Sequence, residues 1–285
     1  MLEIIIVGFG VVGKNMTKFF THKSLEELEK LKTLTQKAKT SLVLDTLSPK
    51  VKLKIYDPKL GFKLENSPNN SLKYAFICVP TDNDSKQECN LKNVKEVLST
   101  LKADIYIIKS TIPPNTTDAF IKETNKKIIF SPEYFGSTLN NQNFNNHFVI
   151  LGGKTHLTHK VANLYQFFVP SNFIIRTTTA LNAEITKYME NSFIATKVTF
   201  MNEFYRIAKT LEADFFEIRE LFLLDERMSR FFSFVFEESP FYDSHCLNKD
   251  IPALITHLEK NHNYKALVLQ KIMQINEIYK QELKA

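Results

Sequence analysis

The run Ile4-Ile5-Ile6-Val7-Gly8-Phe9-Gly10-Val11-Val12-Gly13 decides the fold. Its first four residues are apolar without interruption, as in a strand buried on both faces of a parallel sheet. Gly8, Gly10 and Gly13 follow with GxGxxG spacing, and a helical pattern runs from there through Phe19 and Phe20. Strand, glycine turn and helix are the context this motif requires. The first glycine allows the tight turn, the second lets backbone approach a pyrophosphate, and the third lets helix and strand pack closely. Phe9, Val11 and Val12 supply the backbone between them, and the helix start offers N–H groups to phosphate. An ordinary glycine-rich turn is the competing reading, and the flanking strand and helix argue against it.

Working outward, Val51 to Tyr56 alternates apolar and polar residues and ends at Asp57-Pro58. A carboxylate there can accept from both ribose hydroxyls and favours NAD, while Lys59 keeps NADP open. Asp57 also fits a plain strand-end turn with Pro58. The usual offset is about 20 residues, and residues 24–50 explain the excess. Ser24 can cap a helix on which Leu25, Leu28, Leu31 and Leu34 recur, so an inserted helix is expected before the second strand.

Further strands are expected at 74–79, 105–108, 128–130, 148–151 and 173–175, with helical patterns between most of them. That alternation predicts an α/β class, a Rossmann-like doubly wound parallel sheet. From Leu181 the pattern is helical without Gly or Pro to about Thr210, and again at the end of the chain. We expect an NAD-binding domain over 1–178 and an all-helical central domain, for substrate and dimerisation, over 179–285.

The 285 residues carry 44% hydrophobic residues and a net charge of +6, enough for two real cores and a bias towards anionic partners. The lysines are scattered, which argues against nucleic acid and fits a phosphate-bearing small molecule. Cys78, Cys89 and Cys246 are odd in number with no paired spacing, so neither a disulfide framework nor a metal site is indicated, and a reducing cytoplasm is the natural compartment. No leader pattern and no membrane-spanning stretch is expected.

Two further groupings carry chemistry. Lys187 and Asn191 are four apart, with Glu184 three before Lys187, so all three share one helix face. A cation and an amide on one stripe can stabilise an oxyanion; the spacing alone fits equally an exposed Glu–Lys pair. In Ser244-His-Cys-Leu-Asn-Lys-Asp250, Cys246 is followed by Lys249 and, one turn on, Asp250, which suits a nucleophilic thiol with a hydrolytic partner. A lone cysteine is commonly inert core, and Cys78 reads that way. Glu133 follows Pro132 at a strand end, where sites of this fold gather.

At this point the chain resembles the UDP-glucose/GDP-mannose dehydrogenases. The resemblance rests on GFGVVG (8–13), CVPTD (78–82), KSTIPPNT (109–116), SPEYF (131–135), the stretch from Glu184 to Phe204 and CLNKD (246–250), in that order. It implies oxidation of the C6 alcohol of a nucleotide sugar to the carboxylate with NAD, in two hydride-transfer steps through a thiohemiacetal and a thioester on Cys246. It implies Asp250 as the acid acting with water, Lys187 and Asn191 as holders of the reacting oxygen, Glu133 as a catalytic carboxylate beside the substrate, and Thr111 as the catalytic hydroxyl after the fourth expected strand. Val79, Pro80 and Thr81, with Thr111 and Glu133, are implied on the cofactor. Lys249 is implied on the substrate, and Arg227 on the substrate of a neighbouring subunit. A homodimer through the central helices is implied, with the Phe-rich 231–236 stretch as a second candidate surface.

The chain departs from the family pattern in places. Tyr242 to His245 stand where glycines precede the cysteine, Asn248 replaces a proline, and Ser137 replaces a second glutamate. A short form lacking the family's third, nucleotide-holding domain is expected. Two rivals follow: a two-electron hydroxyacid-type dehydrogenase with Cys246 as bystander, and a non-catalytic NAD-binding or assembly protein.

Overall fold

The computed structural model of the chain describes residues 2–38, 42–61, 71–134 and 147–283; Phe135 and Ser137 lie outside them. In chain order the first elements are β1 (Leu2–Val7), α1 (Val11–Thr21), α2 (Leu25–Ala38), β2 (Leu42–Asp45), β3 (Val51–Tyr56) and β4 (Leu72–Ile77). Then come α3 (Lys92–Thr100), β5 (Ile105–Ile108), α4 (Thr116–Thr124), β6 (Ile128–Phe130), β7 (Phe148–Gly152), α5 (Thr155–Tyr165) and β8 (Ile174–Thr178). The rest is helical: α6 (Ala180–Thr210), α7 (Phe215–Phe222), α8 (His245–His262) and α9 (Leu267–Glu282). Two compact units result, one of residues 1–82 with 90–187 and one of 83–89 with 188–285.

The first unit is a single sheet of order β2-β3-β1-β4-β5-β6-β7-β8. β1 lies between β3 and β4, both parallel to it. The strand order therefore reverses at the end of β1, where the glycine turn sits and where ligands of such sheets bind. Alternate side chains of the strands feed two cores, because successive residues of a strand point to opposite faces. Ile4, Ile6, Leu53 and Phe76 pack with Phe20 of α1, Leu28 of α2 and Val161 of α5. Ile5, Val7, Ala75 and Ile108 pack with Val94 and Val97 of α3 and Phe120 of α4. Each fully buried large side chain contributes roughly 1.5–3 kcal/mol, so a sheet covered on both faces is the stable arrangement for this sequence.

The sheet is mixed rather than uniformly parallel. β2 pairs antiparallel with β3, and β6 meets β7 antiparallel at Phe130 and Gly152. The segment expected as an inserted helix thus holds both that helix, α2, and a four-residue edge strand, β2. The other strands fall where the apolar runs predict them.

In the helical unit, Ala195 of α6 packs with Leu247, Ile251 and Ile255 of α8 and with Ala266 at the start of α9. A second cluster joins Met201 and Tyr205 of α6 to Phe215 of α7 and Val235. Among the described residues, no helix is long and apolar enough to cross a membrane.

Candidate active site

The glycine turn is built as its spacing demands. Gly8 has φ +89°, the left-handed region that glycine tolerates, and a Cβ there would lie 2.8 Å from the Cys78 carbonyl oxygen. A Cβ on Gly13 would lie 1.9 Å from the Gly8 carbonyl oxygen, so α1 packs on the turn only because that position is bare. A Cβ on Gly10 would meet nothing within 4 Å. Open space at the middle glycine, together with an α1 N-terminus that no side chain caps, fits a pyrophosphate. The residues present therefore fit NAD.

Asp57 closes β3 beside this turn. Its Oδ2 accepts from the Phe9 N–H at 2.8 Å across 48 residues of sequence. Its Oδ1 accepts from the N–H groups of Lys59 at 3.1 Å and Leu60 at 3.3 Å. Three backbone donors thus orient the carboxylate, and α2 and β2 account for its distance from the glycines in sequence.

The next strand ends carry the other residues of this unit. Thr81 donates its hydroxyl to the Thr111 carbonyl at 2.8 Å, joining the segment after β4 to the one after β5. Val79 takes the hydroxyl of Ser110 on its carbonyl oxygen at 2.6 Å, and Pro80 is exposed. Glu133 is buried, with Lys109 at 3.4 Å. The Lys109 ammonium also donates to the Ser131 hydroxyl and the Pro132 carbonyl, each at 3.2 Å. Around this pair, burial pushes the Cys78 thiol and the Tyr165 hydroxyl upward in pKa, and the negative charge of Glu133 adds to both shifts. Lys187 lies with its ammonium 5.0 Å from the centre of the Tyr134 ring, a cation–π distance.

Glu184 does not form the exposed pair with Lys187 that spacing allows. It is fully buried and caps α4, accepting from Asn115 N–H at 2.7 Å, Thr117 N–H at 2.8 Å and the Thr117 hydroxyl at 2.6 Å. Burial raises its pKa above the ordinary carboxylate value, and those hydrogen bonds only partly offset the shift.

In the helical unit, the start of α8 is fixed from both sides. Ser244 caps it, accepting from Leu247 N–H at 3.2 Å. Asn276 of α9 clamps the preceding backbone, accepting from Tyr242 N–H at 2.8 Å and donating to its carbonyl at 2.9 Å. Cys246 is thereby held on the first turn of α8, exposed. One turn further, Asp250 is 1% exposed. It accepts from the Asn191 amide at 2.6 Å and is ion-paired with its neighbour Lys249. Asn191, Lys249 and Asp250 therefore form one polar group, with Asn191 and Asp250 buried and Lys249 partly so. Arg227 stands apart from it, 83% exposed and hydrogen-bonded to Asp225 at 2.9 Å.

Two residues with no role assigned by sequence reasoning take part in this geometry. Lys109 opens the KST segment directly after four apolar strand residues and is buried, which its residue type does not predict. Asn83 donates to the Lys249 carbonyl at 2.7 Å, and no spacing rule points to it. No group of three or more His, Cys, Asp or Glu able to hold a metal occurs among the described residues.

Comparison with known proteins identifies the family. Residues 2–169 match the UDP-glucose/GDP-mannose dehydrogenase family NAD binding domain, and residues 181–278 its central domain. A UDP-glucose 6-dehydrogenase of Rickettsia prowazekii is 25% identical over 79% of this chain and 57% of its own length. A UDP-N-acetyl-D-mannosamine dehydrogenase of Methanocaldococcus jannaschii is 26% identical over 90% of this chain and 58% of its own. The chain thus spans somewhat over half the length of these relatives. The structure of a UDP-glucose dehydrogenase from Pyrobaculum islandicum shares the fold, with TM-score 0.70 at 19% identity over 98% of this chain and 68% of that one. The glycine turn, the mixed eight-stranded sheet and the helices that follow are those of the UDP-glucose/GDP-mannose dehydrogenase family, to which this chain belongs.

Proposed function

We propose that this chain oxidises the C6 alcohol of a UDP-glucose-like nucleotide sugar to the carboxylate, through covalent intermediates on Cys246. The observation that carries this reading is Asp250, buried one helical turn beyond an exposed thiol and held by Asn191 and Lys249. Gly8 to Gly13, Asp57, Val79 to Thr81, Thr111 and Glu133 would hold NAD, which supplies the hydride acceptor when bound.

The chain's own residues then do the following. A base, through water or Lys187, removes the alcohol proton as the alcohol becomes an aldehyde. The Cys246 thiol gives its proton to water as its sulfur bonds to the aldehyde carbon, and the carbonyl electron pair moves onto oxygen. Lys187 and Asn191 stabilise that oxyanion with a charge and an N–H. Once the carbon is at the thioester level, Asp250 accepts a proton from water as the water oxygen bonds to the carbonyl carbon. The C–S bond breaks, sulfur leaves with its electron pair, and the carboxylate is released. Lys249 partners Asp250 and contacts substrate, and Arg227 reaches the substrate of a second copy.

A homodimer belongs to this proposal. Met189, Phe193, Phe200, Phe204 and Ile207 are exposed on α6, and at about 100° per residue they fall within roughly 60° of arc. An apolar stripe along a 31-residue helix suits a self-complementary contact with a second copy.

The test is acid formation from a panel of nucleotide sugars with NAD. Cys246→Ser is expected to yield no carboxylate, whereas normal acid output from that variant removes the proposed role. One observation favours the bystander reading of Cys246: Asn191, Lys249 and Asp250 already satisfy one another, as a structural polar group does. A two-electron dehydrogenase would then yield carbonyl product from wild type and Cys246→Ser alike.

A further inference from the structure

The seven residues Asn83–Cys89 interrupt the first unit in sequence and group with the helical unit. They form a short strap. Asn83 and Cys89 bridge antiparallel, and Asp84 closes the turn between them by accepting from the N–H groups of Lys86 at 2.8 Å and Glu88 at 3.0 Å. The strap is fastened to α8 at two points. The Asn83 amide donates to the Lys249 carbonyl at 2.7 Å, and Lys260 meets both carboxylate oxygens of Glu88 at 2.9 Å. The residues flanking the strap are fastened as well. Asn90 N–H donates to the Asp82 carbonyl at 3.0 Å, the Asn93 amide to the Pro80 carbonyl at 2.9 Å, and the Thr81 hydroxyl to the Thr111 carbonyl at 2.8 Å.

We propose that Asn83 is a positioning residue, through which NAD bound at Val79 to Thr81 sets the turn of α8 that carries Lys249 and Asp250. This deepens the proposed function and rests on it. One residue separates Thr81 from Asn83, so a displacement at one reaches the other over about 7 Å of chain at most. Hydrogen bonds hold the strap's own turn and the residues that flank it. The turn that receives the bond also lacks one hydrogen bond of its own. Pro252 stands inside α8, and its ring removes the N–H that would bond the Asn248 carbonyl. The Asn83 bond lands on the next carbonyl, that of Lys249, whose side chain pairs with Asp250. A displacement of about 1 Å at a catalytic group can cost on the order of a hundredfold in rate, so a bond that fixes this turn has leverage over the hydrolytic step.

Hydrogen exchange of the full chain with and without NAD tests this link, read on peptides covering Cys246 to Ile255. In the wild type, NAD is expected to slow exchange there about threefold or more. Asn83→Asp keeps the shape of the side chain but cannot donate, and is expected to bind NAD with a Kd within about twofold of wild type while showing no slowing in α8. Asn83→Ala serves the same purpose should Asn83→Asp fail to fold. With a nucleotide-sugar substrate, both variants should lose kcat while keeping the KM for NAD. The proposal is overturned if the variant binds NAD and α8 slows as in wild type, or if wild type binds NAD and α8 does not respond. NAD-dependent slowing without oxidation of any nucleotide sugar would support the link and overturn the proposed activity.

Discussion

The side-chain amide of Asn191 donates to the carboxylate of Asp250 at 2.6 Å, joining α6 to α8 across 59 residues of sequence. Both residues are buried, and Lys249 completes the group with its ammonium on the other oxygen. Asp250 is thus the point on which a partly buried cation and a buried amide both depend.

Removing that point leaves the partly buried Lys249 charge without its carboxylate and the buried Asn191 amide without its acceptor. Asp250→Ala is expected to lower unfolding free energy by roughly 3 kcal/mol, measured by urea denaturation. Asp250→Asn, which keeps an acceptor oxygen, should lose less. On the proposed chemistry Asp250→Asn also slows thioester hydrolysis, so intact-protein mass spectrometry during turnover should show an adduct on Cys246. Wild-type stability in Asp250→Ala would contradict the structural part.

The glycines separate folding from cofactor binding. Gly13→Ala puts a methyl group 1.9 Å from the Gly8 carbonyl oxygen and should cost about 3 kcal/mol or more. Gly10→Ala meets nothing within 4 Å, so Tm should stay at the wild-type value. Its methyl group occupies the space of the pyrophosphate, so NAD affinity should fall about tenfold or more, at least ~1.4 kcal/mol. Calorimetry on both variants checks the contrast, and undiminished NAD binding by Gly10→Ala would contradict it.

Glu184 gives the first unit a pH dependence. Its folded pKa is raised above 4.5, mainly by burial. The folded state therefore holds the proton more tightly than the unfolded state, and stability falls as pH rises from about the unfolded value through the folded one. Glu184→Gln cannot titrate. The stability of wild type relative to this variant should fall as pH is raised through that window. Urea unfolding at a series of pH values reads it, and a gap that does not change with pH contradicts it.

The apolar stripe of α6 predicts self-association. Light scattering should give a mass twice the 33.0 kDa of the chain. Phe193→Glu with Phe200→Glu places two charges on the stripe and should return the mass to one chain without loss of helix content. A single-chain mass for the wild type contradicts the homodimer.

Much of this molecule was legible in its sequence, for reasons that also mark the limit. The strand at Ile4 to Val7 and the glycine spacing after it read directly, because a continuous apolar run has one stable place in a doubly wound sheet. β2 did not read: three apolar residues beside Asp45 form a strand only because the edge of β3 offers a partner. The antiparallel β6–β7 contact likewise depends on pairing that no local pattern encodes. In the site, spacing placed Lys187 and Asn191 on one face of α6, yet it could not tell that Glu184 is buried as a helix cap. That depends on Asn115 and Thr117, 69 and 67 residues away. Lys109 and Asn83 were missed for the same reason. Each owes its importance to a partner brought near by the fold, Glu133 for one and the Lys249 carbonyl for the other.

The most direct test of the central claim is the amount of NADH formed per nucleotide sugar consumed to completion. Oxidation through a thioester on Cys246 predicts two NADH for each carboxylate product. One NADH per substrate, with a carbonyl product, would contradict it.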